Sequence, residues 1–264
     1  KITYDGYVGW QTLGRKFEML NSNQYMQIMD EALLNSNNMS PIDWTSLNSI
    51  RDIDGNVYDT DWIDKAVDNG ALTTSHSLAF TGGSKTSTYS ISGGYTGQDG
   101  LIGGSDVSYY KRYNLRANSE HKMWNGLVTI GEHVGFVYKD SRGMNTGNIY
   151  NNNLRGAFST SPLVPVYDAD GNYYSTVDSD WNKNDGNPYG TMMMNRYNQS
   201  KSTSVDANVY VQIEPIKNLK FKTVFGLNYG GSNYRSFTPI YKFTPQSGNG
   251  ITKVNQSNGN GTSL

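Results

Sequence analysis

The chain has 264 residues and a formal net charge of -1, so nothing in its bulk charge draws it to nucleic acid or to an anionic membrane surface. Its 29 Gly and 20 Tyr against 7 Pro, with Cys absent, favour strands and turns over helix bundles and exclude a disulfide frame or a thiolate metal site. Mean hydropathy is -0.63 and no apolar run reaches about 18 residues, which excludes a transmembrane helix but not a transmembrane barrel, whose strands turn only half their residues to lipid.

Ile2, Tyr4, Val8 and Trp10 alternate with Thr3, Asp5, Tyr7 and Gly9, and this period of two predicts a first strand near 1–10. The pattern breaks over 11–74. Within that stretch Asn21 or Ser22 can cap a helix carrying Tyr25, Met26, Ile28, Met29, Ala32 and Leu33, and 59–66 reads as a second short helix starting at Thr60 or Asp61. Three alternating segments follow, near 75–82, 86–97 and 107–118. Each sets an apolar, aromatic face (Leu78, Phe80, Tyr89, Ile91, Tyr95, Tyr113, Leu115) against a small polar one (Ser77, Ser90, Ser92, Asn114).

A fifth strand is predicted at 123–138, with Trp124, Val128, Ile130, Val134 and Phe136 on one face. Glu132 falls on that same face, which calls for a bulge or a polar neighbour. After an irregular tract over 139–202 come strands near 203–213 and 218–229. The Gly-, Asn- and Ser-rich remainder over 230–264 reads as loop without a further strand.

The connections alternate in length. Tight turns are expected at Gly83, Glu120 and Pro215, whereas 11–74, 98–106, 139–202 and 230–264 are longer. In a meander this puts every tight turn on one side and every long loop on the other, as in outer-membrane barrels. Trp10, Tyr95, Tyr109, Tyr138 and Tyr229 sit at the long-loop ends of their strands, where an interfacial girdle belongs, and Trp124 sits near the opposite end. The alternative is a soluble cell-surface β-sandwich, a binding or adhesion module whose apolar face is its core.

Ordered blocks then carry a family likeness. They include Thr60-Asp61-Trp62, His76-Ser77-Leu78-Ala79-Phe80-Thr81-Gly82-Gly83-Ser84, Tyr89-Ser90-Ile91-Ser92-Gly93-Gly94-Tyr95 and Tyr110-Lys111-Arg112-Tyr113-Asn114-Leu115-Arg116-Ala117-Asn118. Ser161-Pro162-Leu163-Val164-Pro165-Val166-Tyr167-Asp168 and Glu214-Pro215-Ile216-Lys217-Asn218-Leu219 extend the series. Together they resemble the first barrel strands of SusC/RagA-family TonB-dependent transporters.

The resemblance implies an all-β, antiparallel up-and-down transmembrane β-barrel, with about seven strands here out of ~22 and short helices in long extracellular loops. It also implies a Gram-negative outer membrane, with membrane lipid and lipopolysaccharide around the wall. Import would be of a glycan, oligosaccharide or oligopeptide, a SusD-like lipoprotein would cover the mouth, and TonB would drive uptake through a plug preceding residue 1. The first and last strands would pair with strands outside these residues, because each unsatisfied backbone group in lipid costs a few kcal/mol.

No enzyme chemistry is expected. His76, His121 and His133 have no ligand-like spacing, and the acidic residues cluster in loops. No cofactor is implied. Asp52-Ile53-Asp54-Gly55-Asn56 and Asp168-Ala169-Asp170-Gly171-Asn172 are twin loops. Asp52, Asp54, Asp168 and Asp170 suit a calcium ion as oxygen ligands, but Gly stands fourth where an EF-hand needs it sixth, and Asp-Gly and Gly-Asn also make ordinary turns. Trp44, Trp62, Trp181 and Tyr189 lie in the long loops, able either to stack on ligand rings or to pack the loops together. Arg112, Asn114 and Arg116 would face the lumen, toward plug carboxylates.

Overall fold

The computed structural model describes residues 1–36, 40–144, 152–181, 185–239 and 255–263. Eight strands form one antiparallel sheet in sequence order: β1 (Ile2–Gln11), β2 (Ala71–Gly83), β3 (Ser87–Asp99), β4 (Tyr109–Met123), β5 (Val128–Arg142), β6 (Gln199–Ile216), β7 (Leu219–Thr238) and β8 (Asn255–Ser263). Five short helices sit in the connections: α1 (Ser22–Leu34), α2 (Trp62–Ala66), α3 (Gly104–Val107), α4 (Asn153–Ser159) and α5 (Pro188–Met193). No helix among the described residues is long and apolar enough to cross a membrane.

The register carries the alternation from strand to strand. Phe80 stands opposite Ile91, Ile91 opposite Ala117, Ala117 opposite Val134, Val134 opposite Ala207, and Ala207 opposite Leu227. One face is therefore apolar across β1 to β7. The other carries Ser92, Arg116, Gly135, Asp206 and Asn228 along the adjoining row. All strands belong to one sheet, and the apolar side chains stay open, with Ile2 68%, Trp10 70% and Phe225 70% exposed. A sandwich would bury those residues under a second layer.

Cross-strand packing fixes individual side chains. The Tyr210 ring lies over Gly131, where an added Cβ would come within 2.1 Å of it, and the Tyr89 ring covers Gly82 in the same way. Glycine at these points leaves room for an aromatic ring flat on the sheet.

Three expectations change. The β4–β5 turn lies at Trp124–Gly126, not at Glu120, because Asn125-Gly126 is the local turn signal; Trp124 and Asn125 take positive φ of 51° and 55° there. Trp124 thus leaves the β5 face and stands 71% exposed at the tight-turn end. The tail is not all loop either: β7 runs on to Thr238, and β8 pairs with Gly230–Thr238. Both segments lie beyond the apolar part of β7, so no hydrophobic alternation marks them.

Candidate functional site: a loop cap on a two-faced wall

The long connections fold together. α1 begins at Asn21, whose side chain accepts from Gln24 N–H while the Gln24 side chain accepts from Asn21 N–H, a reciprocal capping box. α2 begins at Asp61, which accepts from Asp64 N–H at 2.9 Å. Trp62, Ile63 and Ala66 of α2 pack with Val107 of α3, Ala157 of α4, Val164, Val166 and Met192 of α5. These residues come from three connections between strands, so the loops share one hydrophobic core at their end of the sheet.

Polar contacts lock that core. Trp62 Nε1 donates to the Ser161 carbonyl at 2.9 Å and Thr60 N–H to the Pro162 carbonyl at 2.9 Å. Asn187 is fully buried; its amide donates to the carbonyls of Val166 and Tyr174 at 2.8 and 3.2 Å, and its oxygen caps α5 by accepting from Gly190 N–H. Asp180 accepts from the N–H groups of Asn48 and Ser49 at 2.8 and 3.2 Å and from the Ser49 hydroxyl. Desolvation pushes the Asp180 carboxyl up, but those hydrogen bonds outweigh it and hold the group below the usual carboxylate range. Burial pushes Asp185 the other way, upward, against the Ser161 N–H that it accepts.

The loop aromatics divide. Trp62 is 3% exposed, so it packs the loops and has no face for a ligand. Trp44 and Trp181 pack with centroids 4.6 Å apart and ring planes tilted by 56°, and Trp44 Nε1 donates to both Asp30 oxygens at 3.0 Å. Tyr189 meets Tyr167 and Tyr173 edge-on, at 6.3 and 6.1 Å. Trp44, Trp181 and Tyr189 are each partly buried.

The twin Asp-rich loops are hairpin turns of one design. Asp52 Oδ1 accepts from the N–H groups of Asp54 and Asn56 at 3.0 and 2.8 Å; Asp168 Oδ1 accepts from those of Asp170 and Asn172 at the same two distances. Gly55 and Gly171 take φ of 84° and 80°. The Asp52 and Asp168 carboxylates are thus turned into their own loops. No group of three or more His, Asp or Glu able to hold a metal occurs among the described residues.

On the polar face Arg112, Asn114 and Arg116 alternate down β4 opposite Thr96, Gly94 and Ser92. Arg112 Nε is buried without a hydrogen-bond partner among the described residues. Nearer the tight turns Tyr210 donates to Glu120 at 2.6 Å and lies 3.7 Å under the Lys222 ammonium. His133 sits between Asn118 and Asp206, at 2.5 and 2.9 Å.

On the apolar face His76 contacts Tyr4 and Thr74 at 2.7 and 2.8 Å, and His121 contacts Ser119 and Ser87, both at 3.0 Å. Glu132 has the polar neighbour that its position required: Ser119, directly opposite, donates to it at 2.5 Å, and the β4–β5 ladder runs through this point without a bulge. At the long-loop end Tyr95, Tyr113 and Tyr138 form a cross-strand ladder with centroids 5.0 and 6.1 Å apart.

No family model matches the chain. It is 29% identical over 184 residues to TonB-dependent receptor P3 of Formosa agariphila, an alignment covering 68% of this chain and 18% of that protein. It is 20% identical over 261 residues to the TonB-dependent receptor SusC of Bacteroides thetaiotaomicron, covering 92% of this chain and 24% of SusC. Among solved structures, the RagAB peptide transporter superposes with a TM-score of 0.68 at 20% identity, covering 90% of this chain and 29% of that one. The RagAB peptide importer in its open-open state gives 0.70 at 20% identity, covering 92% and 29%. The chain thus spans about a fifth to a quarter of the curated relatives and reproduces the fold of under a third of the solved ones. Ordered sequence blocks, a one-sheet meander with one apolar face and loops gathered at one end thus agree with the chain's likeness to TonB-dependent receptors such as SusC and, in fold, to part of the RagAB transporter.

Proposed function

We propose that the chain forms part of the wall and outer mouth of an importer in a Gram-negative outer membrane, one that takes up a glycan, oligosaccharide or oligopeptide. In this reading a SusD-like surface lipoprotein closes over the mouth, and TonB drives uptake through a plug held inside the barrel. The observation that carries it is the sidedness of the connections. The two longest, with the β3–β4 connection, share one folded core at one end of the sheet, while the β2–β3, β4–β5 and β6–β7 connections at the other end are tight turns. A pore wall with a built outer rim needs that asymmetry; a soluble sandwich does not.

The polar face is then the lumen wall. Arg112, Asn114 and Arg116 line it where plug carboxylates would meet them. The Trp44–Trp181 pair and the Tyr167–Tyr173–Tyr189 cluster present the cap's aromatic surface to the lipoprotein or to cargo. RagAB is a peptide transporter, which favours the oligopeptide arm over the glycan one.

The test is growth. A strain lacking the gene is expected to lose uptake of one class of oligomer as sole nutrient while keeping every extracellular hydrolytic activity, and the tagged protein to co-purify with a surface lipoprotein. Unchanged growth on every glycan and peptide tested, or loss of a hydrolytic activity, would overturn the reading.

A further inference from the structure

Four of the chain's 9 methionines meet at the core of the loop cap. Met192 belongs to the buried cluster, and Met19, Met144 and Met193 pack against it. They come from two connections: Met19 lies between β1 and α1, Met144 follows β5, and Met192 and Met193 end α5. Thioethers therefore join the β1–β2 loop to the β5–β6 loop at the core that also holds Trp62. Their exposure is graded. Met192 is 2% exposed, whereas Met19, Met144 and Met193 are partly buried at the margin of the core, within reach of a small molecule from water.

Methionine fills an irregular core well because its unbranched thioether is flexible and polarizable. The same sulfur is the group that oxidants attack. With hydrogen peroxide the sulfur lone pair attacks one peroxide oxygen, the O–O bond breaks, an S–O bond forms and water leaves. Sulfur loses two electrons and the peroxide gains them. The product does not suit this core. A sulfoxide oxygen is a strong acceptor, and burying it without a donor carries the cost of an unsatisfied polar group. Donors bordering the core are committed elsewhere. Trp62 Nε1 serves the Ser161 carbonyl at 2.9 Å, and the Asn187 amide serves the carbonyls of Val166 and Tyr174 at 2.8 and 3.2 Å. The Asn195 amide donates to the Thr191 and Met192 carbonyls at 3.3 and 3.1 Å. The oxidised side chain is left to find its donor in water, which withdraws it from the core and parts the two loops.

We infer that Met19, Met144 and Met193 are an oxidation site: hydrogen peroxide converts them to sulfoxides, the cap loosens, and Met192 is oxidised afterwards. The methionines then act as an oxidant-sensitive latch between two loops. This concerns the cap alone and does not depend on which cargo the protein carries.

The experiment uses the complete protein in outer-membrane vesicles. Hydrogen peroxide is given at a dose that oxidises Met26 and Met29 of α1, and catalase then removes it. Peptide mass spectrometry reads each sulfoxide, and trypsin cleavage at Lys65 and Arg155 reads cap opening. Sulfoxides are expected at Met19, Met144 and Met193 before Met192, with cap cleavage accelerating about tenfold to a hundredfold. Methionine sulfoxide reductases should restore the slow cleavage. The variant Met19→Leu/Met144→Leu/Met192→Leu/Met193→Leu keeps the core volume and retains Met26 and Met29. It is expected to be cleaved at the untreated wild-type rate with or without peroxide. Unchanged cleavage of the oxidised wild type, equal acceleration of the Leu variant, or Met192 reacting first would overturn the inference. So would oxidation of Met26 and Met29 that leaves Met19, Met144 and Met193 intact. The wild-type and reductase arms stand without the variant, so a Leu variant that fails to fold still leaves the inference open to refutation.

Discussion

Trp62 is the side chain on which the loop cap depends, and its removal has a calculable effect. It is 3% exposed, lies among Ile63, Ala66, Val107 and Met192 and bonds the Ser161 carbonyl. Truncating such a residue to alanine costs about 3–5 kcal/mol. Spread over a cap that opens apart from the sheet, this raises the open population by about two to three and a half powers of ten. Trypsin cleavage at Lys65 in α2 and Arg155 in α4 reads that population directly when opening is fast relative to cleavage. With Trp62→Ala in outer-membrane vesicles, cap cleavage should therefore accelerate at least a hundredfold, while the sheet stays protected. Trp62→Phe keeps most of the ring but removes one of the two donors to the Ser161 carbonyl, which still accepts from Val164 N–H at 3.3 Å, a loss of about 0.5–1.5 kcal/mol, and should fall between. Cleavage of Trp62→Ala within threefold of wild type, or simultaneous loss of sheet protection, would refute a separately cooperative cap.

Two further outcomes follow from the wall and from the cap's electrostatics. Val134→Arg places a cation on the apolar face and should cost about 2–4 kcal/mol in lipid, read as a lower urea midpoint for the membrane-inserted protein; Ser92→Arg, on the polar face, should leave it nearly unchanged, and equal effects would sink the two-face assignment. Asp180 has a folded pKa below its unfolded value, so its stabilisation is full above the usual 3.8 and disappears as pH falls through the folded pKa; trypsin-accessible cap opening, measured by pulse acidification and return, should rise in that acid window for wild type, while Asp180→Asn should be looser at neutral pH and show a flatter acid response.

How much of this was legible follows from where side chains alternate. β1 to β7 declare themselves because one face must be apolar, so Ile91, Leu115, Phe136 and Leu227 recur at every second position. β8, with Asn-Gln-Ser-Asn-Gly-Asn-Gly-Thr-Ser, pairs beyond the apolar band and has no such constraint; only backbone pairing reveals it. The ends of β4 and β6 escape the alternation for the same reason, since Lys122, Gln199 and Ser200 lie past its last residues. Asn21 and Asp61 signalled their helices by capping chemistry. The cap core has no period to reveal it, because Trp62, Val107, Ala157 and Met192 lie far apart in the chain; only Trp62 stands out beforehand, as a residue able to pack the loops together. Asn187 and Asp180 gave no signal beyond being polar, for what marks them is burial against distant backbone. Glu132 did announce itself as an exception, and Ser119 opposite it supplies the reason.

The sharing of one core by residues on α2, α3, α4 and α5 has a consequence for assembly. α2 precedes β2, α3 lies between β3 and β4, and α4 and α5 lie between β5 and β6. No single hairpin can bury this core, so every loop stays unpacked until β1 through β6 have found their register. Contacts this far apart in sequence form late. The rim therefore closes only over a correctly ordered wall, and a slip of one residue anywhere among six strands would leave the long loops open to protease. The cap acts as a proof of register for the strands beneath it.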